Sequence, residues 1–531
     1  TKDLSVKADT KNYEESEASN SAFPVVDSDG GAFGGSIAVS VIDVNTTAKM
    51  NANANIAGKL SVEANAKGNL AASVSAEAGG DGETGVAAKY GKTFLKKLLF
   101  TPGTTGDKYS SKIYNKLDDI KNRGNASYNE FDLVGAVNVG IQDYNTSATI
   151  GDSSKSIKPV ISAGSVSVTS STVNDKSHIS AQAKASNAAT AAGGAFVVNV
   201  NDVKSNANVY GDLTLCNTDE NIKALNIISK AEILHPLSYY DYWNDFLGDE
   251  FKSIFTKDFW TQIIDEIVQN YSYYDFNALS PESYIEAITA FIDPLSGKFS
   301  APNLDLILSG PANTSNFGLE DLFNTYAQAA VNAKQQTGAT KAFAGAFTAS
   351  AFDTTSNASI ANGSTITLQT TNPKAGGINI ESNIKNESWV MSGLFDPANL
   401  LELLSGSGAR DGSAFGAGIV FNYANNNNTA SIGENVNIKA DSATPGAVVG
   451  DINISSSTDG NYVTVAAGSS NGDETGMSGS IGLTLVGGDT KAYTGKGSKI
   501  NANNLTVEAE NDSNYINGII ALSYSDKAIG F

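Results

Sequence analysis

Two histidines, His178 and His235, are all the imidazole this chain has. They stand far apart, one in "NDKSHIS" and one beside Pro236, so neither a Ser-His-Asp triad nor a histidine-based metal site has its material. Cys216 is the lone cysteine, which leaves no intrachain disulfide and no metal-spaced cysteine set. Carboxylates are plentiful. A polysaccharide-cleaving site would need two of them, or one with a basic partner, facing each other in a groove. Asp202, Asp212 and Asp353 are the candidates, and each reads as a turn residue at a corner. "DSDGGAFGG" from Asp27 and "GGDGETG" from Gly79 have the composition of calcium loops. The nonapeptide calcium signature depends on tandem copies, and these are single. The expectation is a non-catalytic chain without a cofactor, calcium being the one ion these loops suggest.

The side chains best suited to recognition are aromatic. Tyr239, Tyr240, Tyr242, Trp243, Trp260, Tyr271, Tyr273 and Tyr274 crowd into the stretch 234–336. Such rings carry large apolar area and a polar handle, which serves a binding lobe or the core of a small helical domain. "FWTQIIDEIVQNYSYY" and "PESYIEAITAFIDPL" in this stretch have amphipathic helix spacing. Residues 92–122 carry it at Ile113, Leu117 and Ile120, with a local excess of lysine; "TFLKKLLF" there could lie on a membrane surface, but its short apolar run favours a solvated helix. Residues 393–410 fit a short helix opened by Asp396-Pro397.

Something must hold these stretches, and three recurring phrases describe it. The first is a glycine or small-residue approach into an alternating strand: Ile37, Val39, Val41; Val137, Val139, Ile141; Phe196, Val198, Val200; Ile419, Phe421, Tyr423; Ile481, Leu483, Leu485. Its apolar positions are expected to face the core, and its glycines to turn a tight corner. The second is an alanine, an apolar step and a turn closed by Gly or Asn, as in "TSATIGD" and "NTASIGEN". The third is aliphatic-x-aliphatic-x-small: Leu4, Val6, Ala8; Leu60, Val62, Ala64; Val166, Val168, Ser170; Leu225, Ile227, Ser229; Ile378, Ile380, Ser382; Ile452, Ile454, Ser456; Leu505, Val507, Ala509. Where nothing intervenes, its period is about 55 residues, the mark of a repeat architecture.

One such repeat cannot bury its own apolar face, but stacked repeats can. The expected fold is mainly β: a parallel β-helix (β-solenoid), right-handed, of stacked repeats with inserted helical segments, each repeat forming one large coil or two small ones. Solenoid repeats are expected at 1–91, 123–233, 337–392 and 411–531, and helical insertions at 92–122, 234–336 and 393–410. Charged residues are only 17% of the chain, and its net charge of −21 repels phosphate backbones, so nucleic acid is not an expected partner. No apolar run is long enough to span a membrane. "TKDLSVKADT" at the start reads like the middle of a repeat, so the chain is expected to be a piece of a longer protein.

The phrases "GAFGGSIAVSVIDVNTTAKM", "AGSVSVTSSTVND" and "TASIGENVNIKADS" resemble the repeats of large exported adhesins of Gram-negative bacteria. The resemblance is closest to the leukotoxin-like filamentous adhesins and looser to the filamentous haemagglutinins. It implies a β-helical rod at the cell surface or secreted, with a protein or glycan of a host or neighbouring cell as partner. It carries over no residue-level site. The rival expectations are a structural subunit of an extracellular filament or sheath, in which copies of the chain meet, then a polysaccharide-acting enzyme, then a toxin.

Overall fold

The structure, a computed structural model, describes residues 2–22, 32–78, 129–175, 177–216, 223–234, 323–333, 340–372, 374, 376–393, 412–471, 474–524 and 527–530. All regular structure among them is strand, and all the strand-to-strand ladders are parallel. Parallel pairing between segments so distant in sequence requires the chain to wind around and return to the same side on every turn.

Three ladders run the length of the stack. Ladder I holds β2 (Ala32–Met50), β4 (Asn129–Ile150), β6 (His178–Val209), β10 (Lys341–Ile360), β13 (Ser413–Ile432) and β16 (Thr475–Thr494), with β19 (Ala528–Gly530) beginning a further rung. Ladder II is short: the starts of β3 (Ala54–Ala78) and β5 (Val160–Asp175), then β7 (Asp212–Leu215), β11 (Thr365–Gln369), β14 (Asn437–Asp441) and β17 (Lys499–Ile500). Ladder III joins β1 (Leu4–Ala22), β3, β5, β8 (Lys223–Leu234), β12 (Gly377–Gly393), β15 (Ile452–Asn471) and β18 (Leu505–Tyr524). One passage through the three ladders is one rung. The third phrase is therefore a register mark: Leu4, Leu60, Val166, Leu225, Ile378, Ile452 and Leu505 are successive partners. One repeat makes one coil, which decides between the two windings left open by the sequence.

Two cores fill the coil. The aliphatic one lies among ladder II, the start of ladder III and the end of ladder I, where Leu60, Val62, Ile150, Ile161, Val209 and Leu225 are buried. The other lies between the start of ladder I and the end of ladder III and is rich in alanine, with Ala72, Ala136, Ala181 and Ala195. A zigzag of hydroxyls links ladders I and III. Ser205 Oγ donates to Ser170 Oγ (2.9 Å), Ser356 Oγ to Ser229 Oγ (2.9 Å) and Ser382 Oγ to Ser356 Oγ (2.8 Å). The small third position thus keeps the ladders close, and at Ser170, Ser229 and Ser382 the hydroxyl has a partner across the gap.

The glycine phrase works differently from the corner expected of it. Gly193 and Gly194 lie inside β6 and neither has a positive φ. A Cβ on inward-facing Gly193 would meet Val331 Cγ2 at 2.8 Å, so its missing side chain permits close approach of ladder III. The true corners belong to the second phrase. Gly151, closing "TSATIGD", has φ of 73°, and Asn435, in "NTASIGEN", has φ of 54°.

No helix occurs among the described residues. The stretch 92–122, and most of 234–336 and 393–410, lie outside them. Where the expected insertions are described they are strand, apart from the bend at Phe323 and Asn324. Leu234 ends β8, Gly393 ends β12, and β9 (Thr325–Ala333) lies within the stretch assigned to a helical insertion. β9 continues ladder III, pairing with β6 from Ile179↔Thr325. Among the described residues, this rung of ladder III runs to Leu234 and resumes at Phe323. On the rung below, the same place is crossed by the short link between β5 and β6, because Leu234 pairs with Asp175. Ile179 N–H donates to Asn324 O at 2.9 Å, and His178 Nδ1 lies 2.8 Å from Phe323 O. The third tryptophan, Trp389, is buried here against Phe323, ring centroids 6.4 Å apart.

Candidate interaction surface

The apolar triads of ladder I point outward. In β2, Ile37, Val39 and Val41 are 71%, 64% and 60% exposed, while the alternate residues Ala38, Ser40 and Ile42 are buried. The expectation that the triads face the core is thus reversed, and Val198, the middle of one triad, is only half-buried. The inward positions mix apolar residues such as Ile42, Val197 and Val420 with small and amide ones. Asn138 Nδ2 donates to Ala72 O (2.9 Å) and Ser180 O (2.8 Å), and Asn199 Nδ2 donates to Thr325 Oγ1 (2.8 Å). Asn422 Nδ2 donates to Thr464 Oγ1 (3.1 Å), and Asn426 Nδ2 donates to the buried Tyr462 hydroxyl. The run Asn425–Asn428 is strand, and its amides alternate out and in.

Because the strands are in register, the outward triads stack into columns. Ile37, Val137, Phe196, Phe347, Ile419 and Ile481 form one. Val39, Val139, Val198, Ala349, Phe421 and Leu483 form the next, and Val41, Ile141, Val200, Ala351, Tyr423 and Leu485 a third. Rings stack along them: Phe196 and Phe347 lie 4.8 Å apart at 5°. On the other side of the Ile37 column runs a column without side chains, Gly35, Gly135, Gly194 and Gly345, continued by Ala417 and Gly479. Beyond it stand Phe33, Leu133, Phe343 and Phe415, with Phe343 and Phe415 stacked at 5.0 Å. Ladder III carries charge on its outward side instead, with Lys67–Asp175, Lys230–Glu232 and Lys385–Glu387 ion pairs at 2.9, 2.7 and 2.9 Å. The apolar stripe therefore belongs to one face of the coil.

A column of aspartates borders the stripe. Asp43, Asp143, Asp202 and Asp353 occupy successive rungs of ladder I, followed by Asn425. Asp202 and Asp353 are thus neighbours in a strand ladder and not separate corner residues; Asp212 begins β7 and pairs with Lys158 at 2.7 Å. Burial, then the charges of Asp202 and Asp43, raise the Asp143 carboxyl above its ordinary value. Lys204 lies among them, bonded to Asp202, and the aspartates raise its ammonium in turn. Asn45 Nδ2 donates to Asp43 (2.9 Å) and Asn425 Nδ2 to Asp353 (3.0 Å). The column has a sequence signal: each aspartate stands two residues after its triad, in "IDV", "QDY", "NDV" and "FDT".

The aromatic candidates Tyr239, Tyr240, Tyr242, Trp243, Trp260, Tyr271, Tyr273 and Tyr274 lie outside the described residues, as do His235 and the "GGDGETG" loop. The glycines of "DSDGGAFGG" that are described, Gly34 and Gly35, are strand. Among the described residues, no three or more of His, Cys, Asp and Glu are grouped to hold a metal, and no helix is long and apolar enough to cross a membrane.

Fold and surface together define a mainly-β, solenoid-like repeat protein with one apolar face. No family model, curated protein or solved structure matches the chain.

Proposed function

We infer that this chain is a non-catalytic rod segment of a large bacterial surface or secreted adhesin, wound right-handed, that holds binding surfaces away from the cell. The observation that carries the reading is the unbroken register of ladder I, which stacks outward apolar side chains rung upon rung beside a polar border. A contiguous apolar face of this kind marks an interaction site. The right-handed winding rests on the strong preference of parallel crossovers for that hand. The repeat resemblance to exported Gram-negative adhesins supplies the location, extracellular or at the cell surface, and the partner class, a protein or glycan of another cell. The stretch 235–322, with its eight candidate rings, is the recognition lobe in this reading.

The test is binding of the purified chain to host or neighbouring bacterial cells. Saturable binding that falls when residues 237–320 are deleted supports the reading and places the contact on the lobe. Saturable binding unchanged by that deletion supports the rod and moves the contact to the coils. No saturable binding, or cleavage of members of a glycan panel, overturns it.

A filament subunit is the second reading, since a stack of parallel rungs can take a further rung from another copy of the chain. Fibres with end-to-end contacts in electron micrographs of the purified protein would favour it.

A further inference from the structure

The geometry points to lateral pairing: the apolar face of ladder I docks on the same face of a second copy of this chain, the two columns lying side by side and running in the same direction. The inference goes beyond the adhesin reading and stands whether or not the rod binds cells.

Area argues for it first. From Phe33 to Val41 the face is about 26 Å wide, and six rungs stack about 29 Å high at ordinary strand rise and spacing. That is roughly 750 Å², close to the ~800 Å² that each partner gives to a stable protein–protein interface. Shape is the second argument. The Gly35–Gly135–Gly194–Gly345 column is a furrow one residue wide, with no atom within 4 Å of an added Cβ at Gly135, Gly194 or Gly345. On one side of the Ile37 column lies this furrow; at equal distance on the other stands the ridge of Val39, Val139, Val198 and Phe421. A two-fold axis laid along the Ile37 column, parallel to the stack, brings the ridge of each copy over the furrow of the other. It also sets Phe33 and Leu133 opposite Val41 and Ile141. The interface is then isologous and self-complementary, with two faces of parallel strands meeting as layered sheets do.

Charge selects this direction. With the axis along the stack, the Asp43–Asp143–Asp202–Asp353 column of each copy lies at opposite edges of the joint. With the axis along the strands, the two aspartate columns would face each other, and like charges in apposition repel.

The experiment uses the full chain in sedimentation equilibrium. The wild type is expected at twice the chain mass at micromolar concentration. Gly135→Phe with Gly194→Phe fills the furrow without touching the coil. It is expected to sediment as a monomer with unchanged β circular dichroism, its dimer dissociation constant raised at least tenfold. This separates a fitted joint from mere stickiness, since added rings would strengthen the latter. Should that variant not fold, Val39→Lys with Leu483→Lys reads the same joint from the ridge. Direction is read by cross-linking: in a Cys216→Ser background, Ile37→Cys is expected to form a disulfide-linked dimer by itself. A wild type monomeric at ~100 µM, its face covered by its own chain or reserved for a different partner, overturns the inference. So does a furrow variant that still pairs, or cross-linking only between Ile37→Cys and Ile481→Cys chains.

Discussion

Val197 and Val198 are neighbours in β6 whose side chains have opposite surroundings: Val197 is fully buried, Val198 half-exposed on the outer stripe. Val197→Asp puts a carboxylate into the buried cluster and is expected to cost ~4 kcal/mol or more. Val198→Asp is expected to stay within about 1 kcal/mol of wild type. Denaturant melts at low protein concentration check both, and equal losses would contradict the outward assignment. The aspartate column makes a second prediction. The Asp143 carboxyl sits above its ordinary 3.8, so its ionised form costs stability, and the folded state binds the proton more readily than the unfolded one. That cost is present above the folded-state value and is relieved as pH falls through it toward 3.8. Asp143→Asn is expected to raise Tm at pH 7, with the gain vanishing near pH 3. A gap that stays constant across that range would show that charge is not its cause.

Among elements, ladder III has the firmest physical basis. Leu225 and Leu505 occupy the same column in strands of the same pattern, but Leu225 is enclosed on both sides while Leu505 tops the stack at 45% exposure. Leu225→Ala is expected to cost about 2–5 kcal/mol through lost burial and a cavity. Leu505→Ala should cost under about 1 kcal/mol. Equal costs would mean that the rungs do not shield one another. This ladder was legible in the sequence because its aliphatic positions face inward and recur at a fixed period. Ladder I was legible as strand and as register, but not as to face. Period two says which residues share a side, and nothing in "IAVSV" says which side is inside. There the choice is made by partners remote in sequence, such as the Ser180 carbonyl and Thr325 hydroxyl that accept from the Asn138 and Asn199 amide groups. β9 was hidden because "TYAQAAVNA" carries alanine where other strands carry valine or isoleucine, a composition equally at home in a helix. The aspartate column was readable from its constant offset, but only once the strands are known to be in register.

At the scale of the whole molecule, one claim supports the rest: the chain passes through ladder III once per repeat, each passage directly above the last. Lys7, Glu63, Thr169, Ile228, Glu381, Ser455 and Glu508 are then one outward column, though they span nearly the whole sequence. Pulsed electron spin resonance between a nitroxide at Lys7 and a second at Glu381, Ser455 or Glu508 measures this directly, in a Cys216→Ser background with labelled chains diluted by unlabelled ones. At ~4.8 Å per rung, the distances are expected near 19, 24 and 29 Å, a straight line with rung number. Distances that do not rise in even steps, or that stay the same for Glu381 and Glu508, would contradict the stacked coil and with it the outward apolar face.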